Sequence, residues 1–154
     1  MRIPLKFIWN AEKSEFVDIQ AITTGRIEKL RTGYFSLTFA IDTGSSKSFI
    51  SYEDSRRIKL IPESLPHVEY ANLAGGRISL RETPPLSLFF RNDKMEVTRI
   101  KLDSFLVAMP ANSNQKNISN VLGCPSILGL DFLCKTKSSL YVNPSSNITY
   151  IELV

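Results

Sequence analysis

The chain has 154 residues, 43 % of them hydrophobic, enough for one domain with a substantial core. Its formal charge of +4 comes from dispersed basic residues, with "SRRIK" the one small cluster, which argues against a nucleic-acid partner. No apolar run approaches the ~20 residues that span a bilayer, so no membrane partner is expected. The start "MRIPLKFIWNAEKSEF" has charges inside its apolar part and no cleavage pattern, and Cys124 and Cys134 are the only cysteines. Both features imply reduced thiols and a cytoplasmic location, with the sequons at Asn117 and Asn147 as chance matches.

Period two dominates the pattern along the chain. "PLKFIW" and "EFVDIQAI" read as strands joined by the polar "NAEKS". "RTGYFSLTFAID" reads as a half-buried strand, with Phe35, Leu37, Phe39 and Ile41 inward and Tyr34, Ser36, Thr38 and Ala40 on the other face. "SYEDSRRIKL" predicts a short helix, capped by Ser51 and with Glu53 and Asp54 in its first turn. "VEYANLA" and "RISLRE" flank Gly75 and Gly76, a tight-hairpin signal. "PLSLFF" and "MEVTRIKL" flank the turn-rich "RNDK", and "SFLVAM" is a strand stopped by Pro110. "PANSNQKNISN" reads as a polar surface loop. "GLDFLCKTK" predicts a second short helix, and "SSLYVN" and "NITYIEL" around "PSS" form a last hairpin. The expected class is all-β with one or two short helices. Residues 1–32 supply N-terminal strands that extend a domain over residues 33–154.

The segment "AIDTGSSKSFIS" sets an aspartate, Asp42, directly after an apolar strand. Asp and Gly suit an ordinary turn, and Gly44 permits the positive φ that sharp turns often use. They also suit a catalyst. Far downstream stands Ile127-Leu128-Gly129-Leu130-Asp131-Phe132-Leu133, an apolar pair, a glycine and a short helix. The two segments together are much rarer than either alone.

On these residues the sequence resembles the retropepsin-like aspartic proteases, the single-domain relatives of retroviral proteases, from about Gly33 to Leu153. The resemblance implies a closed, barrel-like β domain working as a two-fold homodimer, with no metal and no cofactor. It implies Asp42 as the catalytic residue, with Thr43 bonding across the dimer. It further implies that Gly44 presents its N–H to Asp42 and that the Ser45 hydroxyl donates to the catalytic carboxylate. Ile127, Leu128 and Gly129 match the segment that supports this loop from the core. The glycine-rich hairpin matches a flap, with Gly75 and Gly76 at its tip and Tyr70 lining the cleft. An ordinary surface hairpin and an outward-facing Tyr70 stand as alternatives. The implied partners are a second copy of the chain and a peptide or unfolded protein substrate. The C-terminal "NITYIEL", read as an apolar edge strand that needs covering, is the expected interface strand.

The chemistry suits the residue types. Peptide hydrolysis without a covalent intermediate needs one group to activate water and one to protonate the carbonyl or the leaving amine. Two carboxyl groups sharing a proton do both, because like charges side by side push their pKa values apart. The chain has a single D-T-G, so the second carboxylate must come from another subunit. Asp131 is better read as an N-terminal residue of a helix, either capping it or favoured there by the helix dipole. A Ser/His triad has only His67 to draw on, and Cys124 and Cys134 lack paired zinc ligands. A function of another class also fits: a catalytically inactive retropepsin-like domain serving as a dimerisation or peptide-binding module.

Overall fold

β-branched and aromatic residues in alternation favour sheet, and the chain folds accordingly. The computed structural model describes residues 1–30, 32–73 and 75–154. Among these, the strands up to the first helix are β1 (Arg2–Pro4), β2 (Lys6–Asn10), β3 (Glu15–Ile27), β4 (Tyr34–Ile41) and β5 (Phe49–Ile50). Helix α1 (Tyr52–Arg57) follows, then β6 (His67–Leu73), β7 (Gly76–Glu82), β8 (Leu86–Arg91), β9 (Val97–Leu102) and β10 (Leu106–Pro110). The chain ends with α2 (Gln115–Leu122), β11 (Ser126–Leu128), α3 (Leu130–Thr136), β12 (Ser139–Asn143) and β13 (Ile148–Glu152).

The larger sheet runs β6-β7-β10-β5-β11-β4-β3-β8-β9, with β2 paired to the start of β3, and the smaller runs β1-β13-β12. Strand β3 is the spine. β4 follows one edge from Gln20 to Arg26, while β2 and then β8 share the other. Residues 2–27 are therefore woven into both sheets, and Ile3, Ala21 and Ile27 lie in the main core with Leu37, Phe39 and Phe132. Each large apolar side chain buried there stabilises the fold by about 1.5–3 kcal/mol. Alternation in β4 is as expected up to Phe39, with Phe35, Leu37 and Phe39 buried between exposed Tyr34, Ser36 and Thr38, but it breaks at the end, where Ala40 is buried and Ile41 half-buried. Ser51 caps α1 by accepting the Asp54 N–H at 3.1 Å.

Three expectations change. The polar segment read as a loop contains helix α2, capped by Asn114, which accepts the N–H groups of Lys116 and Asn117 at 3.0 and 3.2 Å. Its apolar residues are few, but Val121 packs with Phe49, Ile78 and Leu80 in a second, smaller core. Asn, Ser, Gln and Lys at most of the other positions gave the segment the composition of a loop. The strand in "NITYIEL" is not an edge, because β13 pairs with β1 on one side and β12 on the other. The larger sheet is an open path: among the described residues no ladder joins β9 to β6, so strand pairing does not close a barrel. No helix among the described residues is long and apolar enough to cross a membrane.

Candidate active site

Asp42 stands where β4 ends. β11 runs parallel to β4, with Leu128 opposite Ile41, and antiparallel to β5, with Ile127 opposite Phe49. The chain thus leaves β4, loops through residues 42–48 and returns as β5 on the far side of β11. Ile127 and Leu128 are buried beneath this loop, and the Leu128 carbonyl accepts the Asp42 N–H at 3.1 Å.

The loop is sewn to the segment after β11. Leu130 N–H donates to the Ser45 carbonyl at 2.9 Å. Gly129 N–H donates to Ser48 Oγ at 2.8 Å, and Ser48 Oγ donates to Asp131 Oδ1 at 2.5 Å. Ser48 is only 1 % exposed, so both bonds are sheltered from water. Gly129 admits this closeness: a Cβ there would overlap the Ser45 carbonyl oxygen and stand 2.8 Å from that of Lys47. Asp131 also accepts the Phe132 N–H at 2.8 Å, while the cap position of α3 is Gly129. Asp131 is thus an anchor for Ser48 in the first turn of α3.

Asp42, Thr43 and Gly44 are exposed on the outer side of the loop. Gly44 N–H donates to Asp42 Oδ1 at 2.9 Å, and Ser45 N–H to the Asp42 carbonyl at 3.1 Å, closing a turn around Thr43. Gly44 does not take a positive φ; the glycines that do are Gly33 and Gly75. Its value is proximity, since a Cβ would stand 3.0 Å from Asp42 Oδ1. The expectation for Ser45 is corrected: its hydroxyl donates to the Lys47 carbonyl at 2.7 Å rather than to Asp42. A serine in a tight turn readily reaches the carbonyl two residues on.

A cavity of about 620 Å³ opens beside Asp42, with Phe16, Ile41, Leu73, Pro125, Ile127 and Val142 in its wall. Cys124 also faces it; burial pushes its thiol pKa up, so it stays protonated at neutral pH and is a poor nucleophile. A smaller cavity of about 240 Å³ separates the loop from the β6–β7 hairpin. Ala71 and Leu73 line it, and Lys47 pairs with Glu69 across it at 3.7 Å. In the hairpin, Leu73 pairs with Gly76 and Gly75 takes φ +77°, the tight turn the glycines predicted. Tyr70 is corrected: period two puts it on the face opposite Ala71 and Leu73, where it is 53 % exposed between His67 and the Arg77 guanidinium. His67 Nδ1 lies 2.7 Å from Ser79 Oγ, at the other end of the hairpin from Leu73.

The chain is mostly β with few helices, and its aspartate loop is seated on a buried apolar-Gly segment. The crystal structure of a retropepsin-like aspartic protease from Rickettsia conorii is similar over 99 % of this chain and 97 % of that one, with a TM-score of 0.51 and 14 % identity. That likeness is one of fold, and it takes in residues 1–32. No family model matches the chain, and no curated protein does.

Reading the sequence missed Ser48, one of three serines in its loop. Only its burial and its two bonds single it out.

Proposed function

We propose that the chain is an aspartic endopeptidase, hydrolysing peptide bonds with a water activated between Asp42 and the partner subunit's Asp42. The observation that carries this reading is the exposed Asp42, held at Oδ1 by Gly44 N–H on a loop anchored to β11 and α3. One oxygen is oriented by a backbone donor and the other is left for water. The chain carries a single D-T-G, so a two-fold axis beside Asp42 would bring the matching carboxylate from a second copy. The unpaired edge of β12, where Tyr141 and Val142 are exposed, supports an interface made by the smaller sheet.

In the working pair the two carboxyl groups share one proton. The ionised one takes a proton from water as it attacks the carbonyl, and the protonated one gives its proton to the carbonyl oxygen. As the C–N bond breaks, the proton taken from water passes to the leaving amine and the tetrahedral hydroxyl returns its proton to the other carboxylate, restoring the shared-proton pair. The apolar walls of the 620 Å³ cavity favour substrates with large apolar side chains beside the cleaved bond. The β6–β7 hairpin covers the bound peptide with its Leu73 face.

The test is cleavage of casein or an unfolded protein, with and without a transition-state-mimicking aspartic protease inhibitor. Sedimentation of the same samples gives the oligomeric state. Inhibitor-sensitive cleavage by a dimer is expected. A tight dimer that cleaves nothing would make the chain a binding or dimerisation module, and an active strict monomer would remove the shared pair.

A further inference from the structure

We infer that Asn117 is a positioning residue: its side-chain amide fastens the tip of the β6–β7 hairpin to α2 and so sets where Leu73 stands over the Asp42 cavity. The role rests on the protease reading, in which this hairpin covers substrate. The need for a fastener comes from the backbone. β7 pairs with β10 as far as Ile78 opposite Pro110, and Pro110 ends β10. The next residue toward the tip, Arg77, still receives the Ala111 N–H at its carbonyl, but its own N–H faces the side where the strand has run out. Arg77 is exposed, so without side-chain partners these groups would turn to water.

Asn117 supplies them from α2. Its Oδ1 accepts the Arg77 N–H at 2.6 Å, and its Nδ2 donates to the Arg77 carbonyl at 3.0 Å. One amide thus acts as a single residue of strand, donor facing acceptor and acceptor facing donor. The opposite orientation of the amide would set donor against donor. Asn120 Nδ2 reaches the Gly75 carbonyl at 3.4 Å, and Ala111 N–H donates to the Arg77 carbonyl at 2.9 Å. The fit is close: Gly76 is buried, and a Cβ there would stand 3.2 Å from both Asn117 Oδ1 and Val121 Cγ2. Val121 in turn ties α2 to Ile78 and Leu80 in the smaller core.

The clamp matters because β6 is the end strand of its sheet, so the hairpin is supported on one side only. Freed at the tip, the hairpin would have to be ordered again each time substrate binds. That cost weakens binding more than it slows chemistry.

Wild type, Asn117→Ala and Asn117→Asp are compared by residue-resolved amide hydrogen exchange and by peptide cleavage. Alanine is a better helix former than asparagine, so α2 is retained in the first variant. In Asn117→Ala, exchange at the Arg77 N–H is expected to quicken about 10-fold, with β4 and β11 unchanged. KM is expected to rise about 3- to 10-fold with kcat changed less. Asn117→Asp keeps the acceptor for the Arg77 N–H but sets a carboxylate oxygen against the Arg77 carbonyl, so it should restore only part of the protection and of KM. Unaltered exchange at Arg77 overturns the clamp, and faster exchange with an unmoved KM overturns the positioning role. Exchange is read without turnover. A chain that cleaves no peptide therefore refutes the protease reading, and the positioning role with it, while Arg77 exchange still decides the clamp.

Discussion

The Asp42 loop and the tip of the β6–β7 hairpin are both glycine-bearing turns at the end of a strand, and both border the same cavity. They are held in opposite ways. The loop is fixed from below by backbone bonds to Leu128 and Leu130 and by Ser48, which is buried. The tip is held from the side by exposed or half-exposed amides on one short helix. Groups that must hold reacting atoms gain from a preorganised site, whereas a cover has to open for substrate. On the proposed protease reading, local stability should be divided accordingly, high under the aspartate and low over it.

The largest expected effect is at the aspartate itself. Asp42→Asn is nearly isosteric and should abolish cleavage while shifting unfolding by less than about 0.5 kcal/mol, since the side chain is exposed. Activity assays beside thermal melts check it, and retained turnover would remove Asp42 from the chemistry. Gly129→Ala attacks the support. Its Cβ would be forced against the Ser45 and Lys47 carbonyls, both backbone, so a loss of about 1–3 kcal/mol in denaturant unfolding is expected. An unchanged midpoint would mean that the loop and the β11–α3 junction are less tightly joined than described.

Ser48→Ala tests the contrast directly. It strips a buried partner from Gly129 N–H and from Asp131, at a cost of about 1–3 kcal/mol. The groups that Asn117 holds can turn to water, so Asn117→Ala should cost less than Ser48→Ala in the same unfolding series. The reverse order would break the comparison.

Smaller effects concern titration. A shared-proton pair gives a bell-shaped dependence of kcat/KM on pH, and Ser45→Ala should leave the position of the bell unchanged because its hydroxyl is engaged by the Lys47 carbonyl. A displaced bell would show that Ser45 turns to the carboxylate in the working dimer. A wild-type rate still climbing above about pH 8 would remove the pair altogether. Least of all, the exposed Cys134 should be alkylated at neutral pH while Cys124, buried and with its thiol pKa pushed up, reacts only as the pH is raised or the chain unfolds. Peptide mass mapping after timed alkylation reads this out.

Much of the scaffold was legible in the order of residues. Alternation in "YFSLTFAI" gave β4 and its buried face, and the glycines gave the β6–β7 turn. Ser51 gave the cap of α1, because each of these is a local property of neighbouring residues. The same locality misled at α2, where a helix made largely of Asn, Ser and Gln owes its place to Val121 meeting a distant core. It misled at β13 as well, since an apolar strand looks alike at the centre of a sheet and at its edge.

Sequence by itself determined that an aspartate would end an apolar strand and that an apolar pair with a glycine would follow far along the chain. Only the tertiary structure decided that Gly129 has no room for a side chain, that the Ser45 hydroxyl turns to Lys47 while the Ser48 hydroxyl anchors the loop, and that Tyr70 faces away from the cavity. These depend on contacts between residues distant in sequence. A hydroxyl or a ring takes whichever partner the folded backbone brings within reach, and no local pattern encodes that choice.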